Sequence, residues 1–315
     1  MRVLPTRITR AESSRPRLSA TLRRTLAIAV VTASALTLGA SPAAASSSYP
    51  VTHTLAGGLF KSLDDPSASP AGVNVAGCQP TAAHPRPVVL INGTFSNMID
   101  DWSGLGPRLA NLGYCVYASS IGGDPHSVIQ SYGPVVASAL KMKTFIDSIL
   151  SRTGATQVDL VGHSQGGLIA EYYVKLLGGA PKVHTVVGIS PSTHGTTLDG
   201  LILLARLFPG ANDLVGSACP ACVDQEIGST VVRAVGNGPI AQSGVRYTVI
   251  ETLNETVVTP VGSSFIREPG VKNVYLQNYC PFDWTDHASL PYSYGVYGLV
   301  RNALDPAHAR SVGCF

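Results

Sequence analysis

The amino-acid sequence predicts an α/β fold, built on one mostly parallel, doubly wound sheet with helices on both faces. Short apolar patterns typical of strands alternate with helical patterns between residues 87 and 304. Hydrophobic residues make up 45% of the 315 residues and charged residues 13%, which provides a core and argues against disorder. The 32 glycines and 22 prolines follow no triplet period, which excludes a collagen-like fibre.

Six segments have the pattern of buried strands. Each is a short apolar run bounded by turn-forming or polar residues. In chain order the predicted strands are Pro87–Ile91, Cys115–Ala118, Val158–Val161, Val183–Ile189, Tyr247–Thr252 and Val271–Gln277.

Four longer segments carry helical patterns. Apolar residues recur at helical spacing, as Val135, Phe145 and Ile149 do in the second of them. Strands separated by helices of this length indicate parallel βαβ units. The predicted helices are Asp101–Leu112, Tyr132–Ser151, Gln165–Leu177 and Ser289–Leu304.

Residues 196–246 interrupt this alternation. They contain the apolar stretch Leu198–Leu207, then proline, glycine and cysteine residues, and a second predicted helix near Gln225–Ala234. We interpret the segment as a lid or cap insertion over the sheet, within a single domain of residues 46–315. Residues 46–80, rich in serine, glycine and proline, are expected to wrap the surface.

Residues 1–45 have the pattern of a secretory signal peptide. Seven arginines and one acidic residue come first, the apolar run Thr25–Ala40 follows, and small residues lead to a predicted cleavage site near Ala45. The alternative, a membrane anchor, needs a longer apolar run. We therefore predict a secreted, extracellular protein, with Arg23 and Arg24 leaving the twin-arginine export route open.

The formal net charge of +3 comes from this N-terminal segment. Without it, 15 basic and 18 acidic residues remain and no lysine or arginine cluster survives, so nucleic acid is not an expected partner. Elsewhere no apolar run reaches the roughly 18 residues of a membrane-spanning helix, so no transmembrane segment is predicted. Nothing in the sequence demands an oligomer, and a monomer is expected.

All six cysteines follow the predicted signal peptide. An even number in an exported chain favours three disulfides, although the spacing alone permits 15 pairings. The C-x-x-C pair Cys219 and Cys222 also fits a redox or zinc motif. Neither a thioredoxin-like unit nor further ligands at matching spacing accompany it, so a local structural bridge is the preferred interpretation. No metal or cofactor is expected.

The motif Gly162-His163-Ser164-Gln165-Gly166 fits the pattern G-x-S-x-G. A predicted strand runs into it and a predicted helix leaves it, which is the setting of a nucleophile elbow rather than of an ordinary glycine-rich turn. Ser164 would then stand above the sheet at the N-terminus of a helix, whose dipole favours a developing anion. We predict that Ser164 is a catalytic nucleophile.

A serine hydroxyl needs a base, and in this arrangement the chain order is serine, acid, histidine. His287 lies between the last predicted strand and the last predicted helix and is the predicted base. His308, in the C-terminal tail, is the alternative. Glu255 lies in the loop after the strand Tyr247–Thr252 and is the predicted acid, with a surface carboxylate as the alternative interpretation.

Three other carboxylates suit the role of the acid less well. Glu251 lies within the predicted strand. Asp283 and Asp286 are too close to His287 in the sequence to approach its far ring nitrogen easily.

Backbone N–H groups are expected to stabilise the negative oxygen that forms during attack. Gln165, directly after the nucleophile, supplies one predicted donor, and Thr94, in the loop after the first strand, supplies the other. The Thr94 hydroxyl could add a third donor. The alternative for the Thr94 loop is a plain glycine turn.

Four short motifs of this chain follow one another in an order that is shared with a known family. They are Val89–Phe95 (VLINGTF), Gly162–Gly167 (GHSQGG), Glu255–Pro260 (ETVVTP) and Asp286–Leu290 (DHASL). Over residues 78–315 the chain resembles the class 2 secreted lipases of actinobacteria and, more distantly, the fungal Candida antarctica lipase B.

The resemblance implies an α/β-hydrolase fold and hydrolysis of carboxylic esters, typically of acylglycerols. It implies that Ser164 is the nucleophile, Glu255 the acid and His287 the base. It also implies that Thr94 and Gln165 are the oxyanion donors.

Two positions depart from the lipase pattern. The lipases usually carry aspartate where this chain has Glu255, and they often carry histidine where it has Asn92. The resemblance also implies the disulfides Cys78–Cys115 and Cys280–Cys314, which leaves Cys219–Cys222 as a local bridge.

The insertion, residues 196–246, contains the residues predicted to bind the substrate. Its apolar residues are denser than a half-buried helix requires, and would line an acyl-chain pocket or form a lid that meets a lipid–water interface. Ordinary core packing is the alternative. The residues predicted to contact the acyl chain are Leu198, Leu201, Leu204 and Phe208.

The predicted function is therefore that of a secreted lipase or esterase with a Ser-His-Glu triad that acts through an acyl-enzyme. A short-chain esterase, a phospholipid or polyester hydrolase, and an acyltransferase would use the same triad. A non-catalytic binding protein is disfavoured, because such proteins usually lack a triad member and none is missing here.

Overall fold

The computed structural model describes residues 48–199 and 211–314, with the backbone alone for residues 211–214. These residues belong to the unit Ser47–Phe315. The predicted signal peptide and the predicted acyl-chain contacts Leu201, Leu204 and Phe208 lie outside the described residues.

Six strands lie where the sequence predicts strands. They are β1 (Val88–Ile91), β2 (Val116–Ala118), β3 (Val158–His163), β4 (Val183–Ile189), β5 (Arg246–Glu251) and β6 (Lys272–Tyr275). All pair in parallel, in the order β2-β1-β3-β4-β5-β6. The predicted parallel, doubly wound α/β class is confirmed.

The described residues contain nine α-helices. They are α1 (Leu55–Asp64), α2 (Met98–Trp102), α3 (Leu105–Asn111), α4 (Val135–Thr153), α5 (Gln165–Leu176), α6 (Ala211–Ala218), α7 (Pro220–Asp224), α8 (Thr230–Gly236) and α9 (Tyr294–Leu304). Helices α4 and α5 pack on one face of the sheet, while α3 and α9 pack on the other.

Strand β1 shows why its sequence is apolar throughout. Val89 and Ile91 pack against the cluster that contains α4 and α5, and Val88 and Leu90 pack against the cluster that contains α3 and α9. Successive side chains of a strand point to opposite faces, and a parallel sheet is covered on both. Both faces therefore select buried apolar residues, and no polar alternation marks the strand.

The structure corrects several helix boundaries. The helix predicted over residues 101–112 is two helices, because the chain turns after α2, which begins early where Asn97 caps its first turn. The helix predicted near Gln225–Ala234 begins five residues later, at Thr230, and ends at Gly236. Helix α7 ends at Asp224 and the Ser229 hydroxyl caps a new helix, α8. The N-terminal segment 46–80 contains α1, capped by Thr54.

Three disulfides join distant or adjacent parts of the chain. Cys78–Cys115 ties the N-terminal segment to the start of β2, and Cys280–Cys314 ties the loop after β6 to the C-terminus. Cys219–Cys222 joins the N-cap residue of α7 to the first turn of the same helix. These are the pairings that the lipase resemblance implies.

None of the helices in residues 48–199 and 211–314 has the length and apolar character needed to cross a membrane.

Candidate active site

Ser164 occupies a sharp turn between β3 and α5. Its backbone has φ +52° and ψ −123°, a conformation that non-glycine residues rarely adopt, and its N–H donates to the carbonyl of Ile189 at 2.9 Å. The turn leaves no room for a side chain two positions before or two positions after Ser164. A Cβ on Gly162 would lie 2.4 Å from the Gly166 backbone, and one on Gly166 would lie 1.9 Å from the carbonyl oxygen of Ile91. This is the geometry of a nucleophile elbow.

His287 and Glu255 form a buried pair. The Nδ1 atom of His287 lies 2.8 Å from Oε2 of Glu255, and both residues are almost fully shielded from solvent. The other carboxylate oxygen, Oε1, accepts from the backbone N–H groups of Val257 at 2.8 Å and Val258 at 3.0 Å. A carboxylate held by these bonds directs the His287 proton to Nδ1 and leaves Nε2 as the basic nitrogen.

The ionisation of Glu255 follows from these contacts. Burial raises the pKa of its carboxyl, but the hydrogen bond and charge of His287, with the two backbone N–H groups, lower it more. The pKa therefore lies below its usual value and the group is a carboxylate at neutral pH. The extra methylene that distinguishes glutamate from aspartate does not prevent the contact.

Ser164 and His287 line the same cavity. Among the residues that the structure describes, the Ser164 hydroxyl forms no hydrogen bond with His287. Such bonds are often long in a site without substrate and shorten when one binds. His308, the alternative base, lies on the surface, and among the described residues its ring forms hydrogen bonds with Asp305 alone.

The predicted oxyanion donors lie on two sides of Ser164. Gln165 is the first residue of α5, so its N–H has no acceptor within the helix. The N–H of Thr94, in the loop after β1, has no acceptor among the described residues. Thr94 also lines the cavity, and its hydroxyl accepts a 2.7 Å hydrogen bond from Gln225.

A second histidine–carboxylate pair lies beside the first. Nδ1 of His163 lies 2.9 Å from Oδ1 of Asp101, and Nε2 lies 3.1 Å from the carbonyl oxygen of His287. The rings of His163 and His287 are 5.0 Å apart. Burial lowers the pKa of His163, but the charge and hydrogen bond of Asp101 and the His287 carbonyl raise it above its usual value.

The sequence interpretation missed Asp101, His163 and Gln225 as members of the site. His163 lies inside the elbow motif, but nothing local indicates its two acceptors. Asp101 also accepts from the N–H of Gly93 at 2.9 Å, so it supports the Thr94 loop as well as His163. The contacts of His163 with Asp101 and His287, and of Gln225 with Thr94, join segments that are far apart in the chain.

The cavity in front of Ser164 has a volume of about 430 Å³ and a mainly apolar lining. The polar residues that line it include Ser164, His287 and Thr94. Leu198, predicted to contact the acyl chain, lines it. The larger apolar residues that line it are Leu55, Phe95, Leu198, Val215, Val257 and Val258.

The parallel sheet and the elbow define the protein as an α/β-hydrolase. Residues 85–259 match the family model described as "Lipase (class 2)", which is more than half of the chain. The chain therefore belongs to the class 2 lipase family, as its motifs indicated.

Two curated relatives are named triacylglycerol lipase. The protein of Burkholderia plantarii is 34% identical over 111 residues, which cover 34% of this chain and 29% of that protein. The protein of Pseudarthrobacter phenanthrenivorans is 34% identical over 96 residues, covering 29% of this chain and 28% of that one. The matched region thus spans less than a third of either relative.

Among solved structures, the crystal structure of Aspergillus fumigatus lipase B superposes on this chain with a TM-score of 0.59. The two sequences are 20% identical, and the match covers 76% of this chain and 55% of that one. At this identity the similarity supports the fold alone.

Proposed function

We propose that this protein is a secreted serine carboxylic ester hydrolase that cleaves acylglycerols, with Ser164, His287 and Glu255 as its catalytic triad. The observation that carries the proposal is the buried His287–Glu255 pair, 2.8 Å apart, beside the cavity that Ser164 lines. Class 2 lipase membership and the two relatives named triacylglycerol lipase support the same chemistry.

In the first half of the reaction, Nε2 of His287 takes the proton of Ser164 as its Oγ bonds to the ester carbonyl carbon. The carbonyl oxygen becomes an oxyanion, and the N–H groups of Thr94 and Gln165 stabilise it. The carbon–oxygen bond to the alcohol then breaks, and the alcohol leaves with the proton from His287. Glu255 keeps the His287 ring oriented and stabilises its positive charge.

Water completes the cycle. His287 takes a proton from the water as its oxygen attacks the acyl-enzyme carbonyl, and Ser164 recovers that proton when the acid leaves. Each step balances with protons that the triad and water supply. All three triad residues come from one chain, so the proposal needs only a monomer.

The surroundings of the cavity favour an apolar ester at a lipid–water interface. Phe95 is 51% exposed and lines the cavity, and Leu198, Val215 and Val257 are also partly exposed along it. Helix α1 begins at the same cavity with Leu55 and exposes Phe60 on its surface. An apolar rim of this kind is typical of a surface that meets lipid. Three disulfides and the predicted signal peptide support secretion.

The test is hydrolysis of p-nitrophenyl esters with acyl chains from C2 to C16, and of emulsified triolein, by the oxidised protein. Ser164→Ala is the test variant, and Ser148→Ala, on the exposed side of α4, is its matched control. Long-chain and triolein activity that is lost only in Ser164→Ala supports a lipase. Activity on short chains alone indicates an esterase, and no hydrolysis by the wild-type protein contradicts the proposal.

A further inference from the structure

Gln225 lies buried beside Thr94, directly after α7. Its Nε2 atom donates to the Thr94 hydroxyl at 2.7 Å and to the Ala221 carbonyl at 3.0 Å. Its Oε1 atom accepts from the Ser192 hydroxyl at 2.9 Å. One amide therefore joins the loop after β1, helix α7 and the loop after β4.

These partners fix the direction of the amide. The Ala221 carbonyl can only accept, so the nitrogen of Gln225 must face it and the oxygen must face Ser192. The same nitrogen donates to Thr94, so the Thr94 hydroxyl acts as an acceptor toward Gln225. The hydrogen of that hydroxyl remains available for another acceptor in the cavity that Ser164 lines.

We propose that Gln225 is a positioning residue for oxyanion stabilisation. By donating to Thr94 Oγ1, it directs the Thr94 hydroxyl hydrogen toward the negative oxygen that forms when Ser164 attacks an ester, an inference that rests on the proposed function. A donor fixed before the reaction needs no reorganisation in the transition state.

Ser192 ties this arrangement to the nucleophile. Its hydroxyl holds the oxygen of Gln225, and its backbone N–H donates to the carbonyl of Ser164 at 3.4 Å. Ser192 is fully buried, so neither contact competes with bulk water. Ser192 thus links the backbone of Ser164, through Gln225, to the Thr94 hydroxyl.

The experiment is a double-mutant cycle with Thr94→Val and Gln225→Met, measured as kcat and KM on p-nitrophenyl butyrate. Thr94→Val should lower kcat about 100-fold, in the range for an oxyanion donor, and Gln225→Met about tenfold, with KM changing little. The double variant should be no slower than Thr94→Val alone, because Gln225 acts through the hydroxyl that Thr94→Val removes.

Two further variants separate positioning from packing. Gln225→Glu keeps the shape of the side chain, but its carboxylate would accept the Thr94 hydrogen and place negative charge near the oxyanion. It should therefore turn over more slowly than Gln225→Met. Gln242→Met is the matched control, because Gln242 bonds only to the carbonyls of Pro239 and Ile240 through its side chain and should leave kcat unchanged.

All rates are referred to folded protein, measured by near-UV circular dichroism. Losses that multiply in the double variant, or a Gln225→Glu variant at least as active as Gln225→Met, would overturn the role of Gln225 and leave the Ser164 chemistry intact. A wild-type protein that hydrolyses no ester would overturn the proposed function, and this inference with it.

Discussion

Two buried histidines lie side by side in this molecule, and each faces a carboxylate at hydrogen-bond distance. In His163 both ring nitrogens face acceptors, Asp101 on one side and the His287 carbonyl on the other. In His287 only Nδ1 faces a carboxylate, and the ring lines the cavity of Ser164. Two acceptors favour the doubly protonated ring of His163, whereas a single acceptor at Nδ1 leaves Nε2 of His287 free to take up a proton.

A histidine–carboxylate pair therefore does not by itself define a base. What distinguishes the base is a ring nitrogen without an acceptor in a cavity that also contains a nucleophile. We infer that His287 accepts the proton of Ser164, and that the His163–Asp101 pair holds the backbone of His287 in place. The raised pKa of His163 fits a structural cation rather than a proton acceptor.

The largest expected effect is that of His287→Ala. Without a base, kcat on p-nitrophenyl butyrate should fall by about 10⁴–10⁶-fold, as for other serine triads. His308→Ala is the matched control, because His308 also pairs with an aspartate but lies on the surface. Equal losses in the two variants would contradict the assignment of the base.

Substitution of Glu255 should have the next largest effect on kcat. In Glu255→Gln the amide no longer stabilises the imidazolium or fixes the ring proton, so kcat should fall by about 10²–10⁴-fold. Glu255→Asp tests the departure from the usual lipase residue, and its shorter reach should cost less than the loss of charge. Steady-state kinetics of both variants decide this, and a Glu255→Gln variant with wild-type kcat would show that another group orients His287.

His163→Gln should distinguish the structural role of His163 from the catalytic role of His287, because it should lower stability more than turnover. Glutamine can satisfy one of the two acceptors, and breaking a buried ion pair typically costs about 3 kcal/mol of unfolding free energy. Turnover by the folded variant should stay within about tenfold of wild type, because His163 does not touch the reacting atoms in this account. Urea unfolding and kcat measured together check this, and a variant of full stability without turnover would make His163 catalytic.

Glu171 gives the smallest expected effect on activity. It is buried in α5, where its Oε1 accepts from the Thr193 hydroxyl at 2.8 Å, and burial raises its pKa to about 8. The folded state therefore keeps a proton that the unfolded state releases near the ordinary value of 4.5, so stability is fully present below that pH and falls as the pH rises toward 8.

Glu171→Gln should remove this pH dependence. At pH 8 the variant should lose less unfolding free energy, relative to pH 5, than the wild type does, by on the order of 2 kcal/mol. Its kcat should be unchanged. Urea unfolding at the two pH values provides the measurement, and parallel pH profiles for both proteins would contradict a buried, protonated Glu171.

The parts of the fold that local patterns determine could be predicted from the sequence. Strand β1 has no polar face because helices cover both sides of the sheet, and the elbow around Ser164 needs small neighbours at fixed spacing. His287 and Glu255 were predicted because the chain order of the triad restricts the candidates. Side-chain caps at Asn97 and Ser229 changed the helix boundaries, which apolar spacing does not report.

The missing members of the site depend on contacts between distant segments. Asp101 and His163 are 62 positions apart, and Gln225 and Thr94 are 131 apart. A single carboxylate or amide in a sequence carries no signal of the partner that folding brings to it. The α/β class fixes which strand ends meet, but it does not fix the side-chain bonds that join the loops beyond them.

We propose that His287, and not His163, activates Ser164. The most direct test is intact mass spectrometry after exposure to a p-nitrophenyl phosphonate, with peptide mapping of the adduct. We expect one phosphonyl group on Ser164 in the wild-type protein, nearly the same labelling rate in folded His163→Gln, and a loss of labelling in His287→Ala. Labelling that persists in His287→Ala but is lost in folded His163→Gln would contradict the account.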